Sequence, residues 1–251
     1  MTEAPTVYLS VGWSPRCKQL LLDGPKAVAP EQAPSILVSY PYLPFFLRHR
    51  SRVRLRSWML DSGAYSAWNS GKVTDLDAYI RVCQELLATD PQLTEVVGLD
   101  VIGDWRAGLR NVERMWAAGV PAIPTYHITE PEDLLVGLAR DYPKIAVGGT
   151  ARLRGPAKLR FAEQAFARVW PKPIHGLAVG GRDVLLAVPW HSADASNWEA
   201  NPGRFGKWQA FGGANLGLRG GRQDLRAEVA WYLELERIAR FKWRREMTRL
   251  H

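Results

Sequence analysis

Eight short runs of β-forming residues recur along this chain, and most are followed by a polar or Gly/Pro break and a longer stretch with helical spacing. The runs are Thr6 to Val11, Ser35 to Tyr40, Trp58 to Leu60, Val96 to Leu99, Pro121 to Tyr126, Lys144 to Val147, Pro173 to Val179 and Val188 to Ala193. Between them, Asp75 to Ala88, Trp105 to Ala118, Glu130 to Arg140 and Ala157 to Val169 place apolar residues three and four apart, as helices with one buried face do. Thr74 and Thr129 are expected to open helices, the latter with Glu132 three residues on, and Gly119 after Ala118 reads as a C-terminal stop. Strands alternating with helices eight times predict an α/β fold, a (β/α)8 TIM barrel. The 251 residues suit one such barrel, so residues 1 to 251 are expected to form a single domain.

Two early connections are less regular. Pro15 to Pro34 and Pro41 to Arg56 carry prolines and basic residues in place of a clean helix. Gly203 to Gly221 is glycine-rich and reads as a loop over the barrel mouth, and Asp224 to His251 reads as a terminal basic helix.

Composition narrows the function classes. At 47% hydrophobic the chain can bury a substantial core, which argues against disorder. A formal charge of +8 favours an anionic partner, with nucleic acid the leading candidate. Cys17 and Cys83 stand far apart and outside any paired-cysteine spacing, so they read as reduced intracellular thiols, not as a disulfide or zinc framework. The first residues lack a basic segment followed by an apolar one, and no run approaches the ~20 apolar residues of a membrane span. A soluble, cytoplasmic protein without membrane contact is expected.

If the barrel forms, the strand ends share one location. Asp61 follows the third run, Asp100 ends Val97-Gly98-Leu99-Asp100, and His127 follows the fifth. Gly148-Gly149-Thr150 follows the sixth, His175-Gly176 lies within the seventh, and Asp194 follows His191-Ser192-Ala193. Asp61-Ser62-Gly63 alone could be an Asx-turn leaving a strand. Three carboxylates converging on one mouth repel one another and make a poor way to stabilise a fold, so their coincidence points to function.

The residues at these ends resemble a known family. Leu60-Asp61-Ser62-Gly63-Ala64-Tyr65 is similar to the Asp-Ser-Gly-Gly-Phe signature of the tRNA-guanine transglycosylase superfamily. Ile145-Ala146-Val147-Gly148-Gly149 is similar to its base-binding turn, and Ser192-Ala193-Asp194 falls where that family has its nucleophilic aspartate. The resemblance covers roughly Trp58 to Trp198. The short length and the wording Leu99 to Asp104, Leu-Asp-Val-Ile-Gly-Asp, look most like the DNA 7-deazaguanine transglycosylases of phages and bacterial DNA-modification systems. One departure is clear: the Cys-x-Cys-x-x-Cys cluster and later His that hold zinc in tRNA-modifying members have no counterpart after Asp194. His49, His127, His175, His191 and His251 show no metal spacing either, so neither metal nor cofactor is expected.

The resemblance implies exchange of guanine in DNA for a 7-deazaguanine base of the preQ0 type. Asp194 would be the nucleophile that forms a covalent sugar-enzyme intermediate, and Asp61 the general acid/base. Asp100 would read the base edge, with Ser62, Gly63 and the Gly148-Gly149-Thr150 backbone holding its other edges. Tyr126 and His127 are expected to line or stack in the pocket, whereas Tyr65 is expected to pack in the core. The target guanine must be flipped out or single-stranded. Arg152 and Arg154, just after the Gly-Gly turn, are the candidates for phosphate contacts, ahead of Arg52, Arg54 and Arg56. Two alternatives stand beside this reading: a member acting on tRNA, or a barrel that binds nucleic acid without catalysis, against which the two acids Asp61 and Asp194 argue.

Overall fold

The computed structural model describes residues 5–12, 17, 33–150, 153, 155–205, 207–212, 214–215 and 225–249. Eight parallel strands form one sheet: β1 (Thr6–Ser10), β2 (Ser35–Ser39), β3 (Trp58–Asp61), β4 (Leu93–Val96), β5 (Thr125–His127), β6 (Ile145–Gly148), β7 (Ile174–Gly176) and β8 (Ser192–Ala195). Their spatial order is β4-β3-β2-β1-β8-β7-β6-β5. The sheet is curled, and outside the named strands one isolated parallel bridge pairs Val97 with Ile123, where Gly98 N donates to Ile123 O at 2.9 Å and Ile123 N to Val96 O at 2.8 Å.

All eight runs therefore give strands, but four sit off the positions the sequence suggested. β4 starts earlier, because Asp90 closes the preceding turn and Trp58 N pairs with Gln92 O at 2.8 Å. β5 takes only the last two residues of its run and adds His127, and β7 stops at Gly176 ahead of Ala178, whose φ is +56°. β8 begins only at Ser192, since Pro189 and a turn from Val188 O to Trp190 N at 2.9 Å occupy the first half of its run. Asp194 is thus the third residue of β8 and not a residue beyond it.

Alternation along the strands sorts residues onto two faces. Tyr8, Leu37, Met59, Val97, Ile123 and Ala146 form a plug inside the curled sheet. Their neighbours Val7, Leu9, Ile36, Val38, Trp58, Leu60, Ile145 and Val147 face the helices and build the main core. The helices are α1 (Leu43–His49), α2 (Ala64–Asn69), α3 (Leu76–Thr89), α4 (Trp105–Ala117), α5 (Glu132–Asp141), α6 (Gly155–Val169), α7 (Arg182–Ala187), α8 (Asn197–Phe205) and α9 (Arg226–Arg249). The second irregular connection holds the short helix α1 after all, opened by Pro41 and Pro44, which are tolerated in first turns. Asp75 caps α3 in place of Thr74, accepting from Ala78 N at 3.1 Å, and Pro131 stands at the N-cap of α5 without a side-chain bond. Gly119 has φ +80° just after α4, as its stop role requires.

Most of Pro15 to Pro34 lies outside the described residues, as do residues 206, 213 and 216–221 of the expected mouth loop. The described part of that segment contains the hairpin Lys207–Trp208 with Ala214–Asn215. No helix among the described residues is long and apolar enough to cross a membrane.

Helix α9 departs from a solvated basic helix. It buries Val229, Tyr232, Leu235 and Ala239, and its acids Glu228 and Glu236 are buried too. Glu236 accepts from Val7 N at 2.7 Å and pairs with Arg56 at 2.8 Å and Arg240 at 3.0 Å, while Arg240 donates to Pro5 O at 2.8 Å. Pro5 and Arg56 both precede their strands, so this half of α9 covers the end of the sheet opposite to the strand carboxyl ends.

Candidate active site

A cavity of about 630 Å³ opens at the carboxyl ends of the strands, within the range of small-molecule sites. Asp61 of β3, Asp100 after β4 and Asp194 of β8 all line it, joined by Ser10, Ser39 and His127. The three expected carboxylates are therefore brought to one concave surface.

Asp61 ends its strand with the chain turning sharply at Gly63, where φ is +71°. A Cβ there would stand 2.4 Å from Pro41 Cδ, so both conformation and space demand glycine. The turn aims Gly63 N at Asp61 Oδ2 at 3.0 Å, and Ser39 Oγ donates to the same oxygen at 2.8 Å. Among the described residues, Asp61 Oδ1 takes no hydrogen bond and no cation pairs with this carboxylate. Burial pushes its pKa up to about 6, with the charges of Asp100 and Asp194 acting in the same direction and the two hydrogen bonds opposing.

Asp194 is held from both sides. Ser10 Oγ donates to Oδ2 at 2.5 Å and Ala178 N to Oδ1 at 2.7 Å. Ala178 reaches that oxygen by adopting a left-handed φ of +56°, a costly conformation for a residue with a side chain, and Lys158 Nζ secures it by donating to Ala178 O at 2.9 Å. Gly180 lets the following turn press on β8: a Cβ there would stand 2.2 Å from Ala195 Cβ.

Asp100 and His127 form a pair, with His127 Nε2 2.8 Å from Asp100 Oδ2. Burial works to lower the His127 pKa, but the hydrogen bond and charge of Asp100, aided by Glu130, outweigh it and the net direction is up. Glu130 accepts from His127 N at 2.7 Å, and burial raises its own pKa. The pair is an acceptor joined to a donor, so the edge it presents to a ligand is mixed.

Several expected residues take other places. Ser62 is fully buried; its Oγ lies 3.4 Å from Asp100 Oδ1, so it supports Asp100 from behind. Gly148 is a buried strand residue, whereas Gly149, with φ +76°, and Thr150 do line the cavity. Tyr126 does not. Alternation on β5 sends Thr125 and His127 inward and Tyr126 outward, where it stacks on Phe161 and its hydroxyl donates to Glu130 O at 3.0 Å. Tyr65 is not a core residue: it is 50% exposed and lines the mouth beside the equally exposed Trp68. Arg152 and Arg154 lie outside the described residues. Arg56 precedes β3 and is tied to Glu236, at the far end from the cavity. The sequence reading missed Ser10, Ser39, Ala178 and Glu130. The first two carried a signal, as small hydroxyls two places after the inward residues Tyr8 and Leu37. Among the described residues no group of three or more His, Cys, Asp or Glu could hold a metal ion.

No family model matches the chain, and no curated protein matches it. Among solved structures it is similar to a variant of the carboxyl transferase domain of Rhizobium etli pyruvate carboxylase with pyruvate, at 14% identity and a TM-score of 0.47. That match covers 94% of this chain and 48% of the other, so the chain spans about half the length of that structure.

Proposed function

We propose that the sheet closes as a (β/α)8 barrel and that the chain is a cytoplasmic transglycosylase, exchanging guanine in DNA for a 7-deazaguanine base of the preQ0 type. The observation that carries the reading is the contrast within the cavity between Asp194, whose two oxygens each accept from a donor, and Asp61, whose two donors share one oxygen and whose pKa burial pushes up to about 6. Two carboxyl groups in one cavity, one oriented at both oxygens and the other able to hold a proton, are what a double displacement with acid/base assistance uses.

In the first step an Asp194 oxygen attacks the anomeric carbon, the glycosidic bond breaks with its electron pair on the departing guanine, and protonated Asp61 gives that base a proton. In the second, Asp61, now a carboxylate, takes the ring N–H proton of the incoming base. The freed nitrogen lone pair attacks the anomeric carbon and Asp194 leaves as a carboxylate. A group titrating near 6 serves both halves at neutral pH. The Asp100–His127 pair, the Gly149 backbone and Thr150 surround the base. Tyr65 and Trp68 offer faces at the mouth for a nucleotide taken out of the stack.

DNA is preferred to tRNA on the likeness of the Leu99 to Asp104 wording to the DNA-modifying members, since the catalytic residues would serve either polymer. The test places both polymers in one reaction with a labelled 7-deazaguanine and follows the label by nucleoside mass spectrometry. Label in DNA alone is expected. Label in tRNA alone overturns the substrate, and label in neither overturns the activity.

A further inference from the structure

Beneath the mouth, a line of polar side chains runs past the apolar plug to the far end of the sheet. Glu95 on β4 is ion-paired with Lys144, just before β6. Lys144 Nζ donates to Ser192 Oγ at 2.7 Å, and Ser192 Oγ lies 2.8 Å from His175 Nδ1. The other ring nitrogen of His175, Nε2, stands 3.7 Å from Asp194 Oδ1 and has no hydrogen-bond partner among the described residues. His175 is fully buried, and the Tyr8 ring meets it edge-on at 6.1 Å. Strand register explains the placement: His175 pairs with Ser192, and Ser192 and Asp194 lie on the same face of β8.

The chemistry of the line favours one tautomer of His175. A lysine ammonium only donates, so Ser192 Oγ accepts from Lys144 and its own hydrogen is turned elsewhere. The acceptor within reach is His175 Nδ1. A neutral imidazole that accepts at Nδ1 carries its hydrogen on Nε2, and that N–H faces Asp194 Oδ1. At 3.7 Å it stands just beyond hydrogen-bond reach, in a fully buried setting where an N–H without an acceptor is costly.

Resting on the transglycosylase reading, we propose that His175 is a positioning residue for Asp194. The line Glu95–Lys144–Ser192 holds its Nε2–H tautomer, and that N–H closes onto Asp194 Oδ1 when the carboxylate is released from the sugar. The aspartyl ester has little charge to offer a donor, whereas the departing carboxylate regains a full one in a place with little water. A donor that engages only then assists the second displacement more than the binding of either base.

Two measurements test this separately from the reaction itself. Long-range proton–nitrogen correlation NMR on histidine-labelled wild-type protein should show His175 neutral with its hydrogen on Nε2, and Ser192→Ala should shift it toward the Nδ1–H form. A wild-type Nδ1–H tautomer overturns the proposal whatever the protein catalyses. In base exchange, His175→Leu should lower kcat by about 10- to 100-fold with KM for the incoming base unchanged, and His175→Gln, which can return an N–H near the Nε2 position, should recover most of the loss. An unaffected kcat, or equal loss in both variants, overturns it. If wild type exchanges no base while the Nε2–H tautomer is found, the transglycosylase reading fails and the tautomer line stands.

Discussion

Buried carboxylates stand at both ends of this sheet, and they are treated differently. At the end covered by α9, Glu236 is 3% exposed and answered by Arg56, Arg240 and Val7 N. At the mouth, Asp61 receives one hydroxyl and one backbone N–H on a single oxygen, faces two further carboxylates and has no paired cation among the described residues. An acid that folding merely tolerates is neutralised by partners, as at the α9 end. An acid left without a cation in a cavity keeps a proton available near neutral pH, and such perturbed groups cluster where chemistry uses them. The same distinction separates Asp194, whose donors orient it, from the peripheral pairs Arg140–Asp141 and Arg237–Glu234, which are exposed and contribute little.

The widest split between the two ends should appear in activity. Asp61→Asn is expected to reduce base exchange by about 10²- to 10⁴-fold, because the amide can neither give nor take the proton. The far end should respond in stability alone: Glu236→Ala leaves Arg56 and Val7 N facing an apolar methyl and should cost roughly 3 to 5 kcal/mol in denaturant unfolding, with kcat per folded molecule unchanged. Loss of kcat in that variant at full folding would erase the division of labour between the ends.

A smaller effect sharpens the comparison through pH. The Asp61 pKa is raised from 3.8 to about 6 in the folded state, so the native protein binds this proton more tightly than the unfolded chain. That contribution is fully present below pH 3.8 and is lost as pH rises through 6. Asparagine keeps an oxygen for Ser39 and Gly63 N and never ionises. Asp61→Asn should therefore be more stable than wild type by about 2 to 3 kcal/mol above pH 7, the gap closing as pH falls toward 4. Chemical denaturation across that range measures it, and a gap independent of pH would mean that Asp61 is not strained at the mouth.

The smallest effect concerns phosphate contacts. Arg245, exposed near the end of α9, lies away from the cavity, so Arg245→Gln should leave the salt dependence of DNA binding unchanged. Arg154→Gln should reduce its log-log slope by about 1. The reverse pattern would move the polymer to the α9 end.

Much of this arrangement was legible in the sequence because period-two and period-3.6 patterns report faces directly. The eight strands, the helices after β3, β4, β5 and β6, and the meeting of Asp61, Asp100, His127 and Asp194 followed from it. What was not legible depended on partners distant in sequence. Val188-Pro189-Trp190 looks like strand, but proline denies the ladder a donor and Trp190 turns to pack on Phe166, so β8 slides forward to include Asp194. Tyr126 looked like a pocket residue until the register of β5 assigned it to the outer face. The basic letters of α9 hid two buried glutamates, since only packing shows which side of a helix is covered. Ala178 gave no sign at all, because nothing in a lone alanine reveals a left-handed φ.

The claim that Asp194 is the mouth's nucleophile is open to direct capture. Wild-type protein incubated with DNA and no acceptor base should accumulate a protein–DNA adduct that survives denaturation, maps by peptide mass spectrometry to Asp194 and resolves when a 7-deazaguanine is added. Asp194→Asn, folded to the same extent, should form none. An adduct of equal yield on the Asp194→Asn protein, or one mapped to Asp61 or Asp100, would contradict the account.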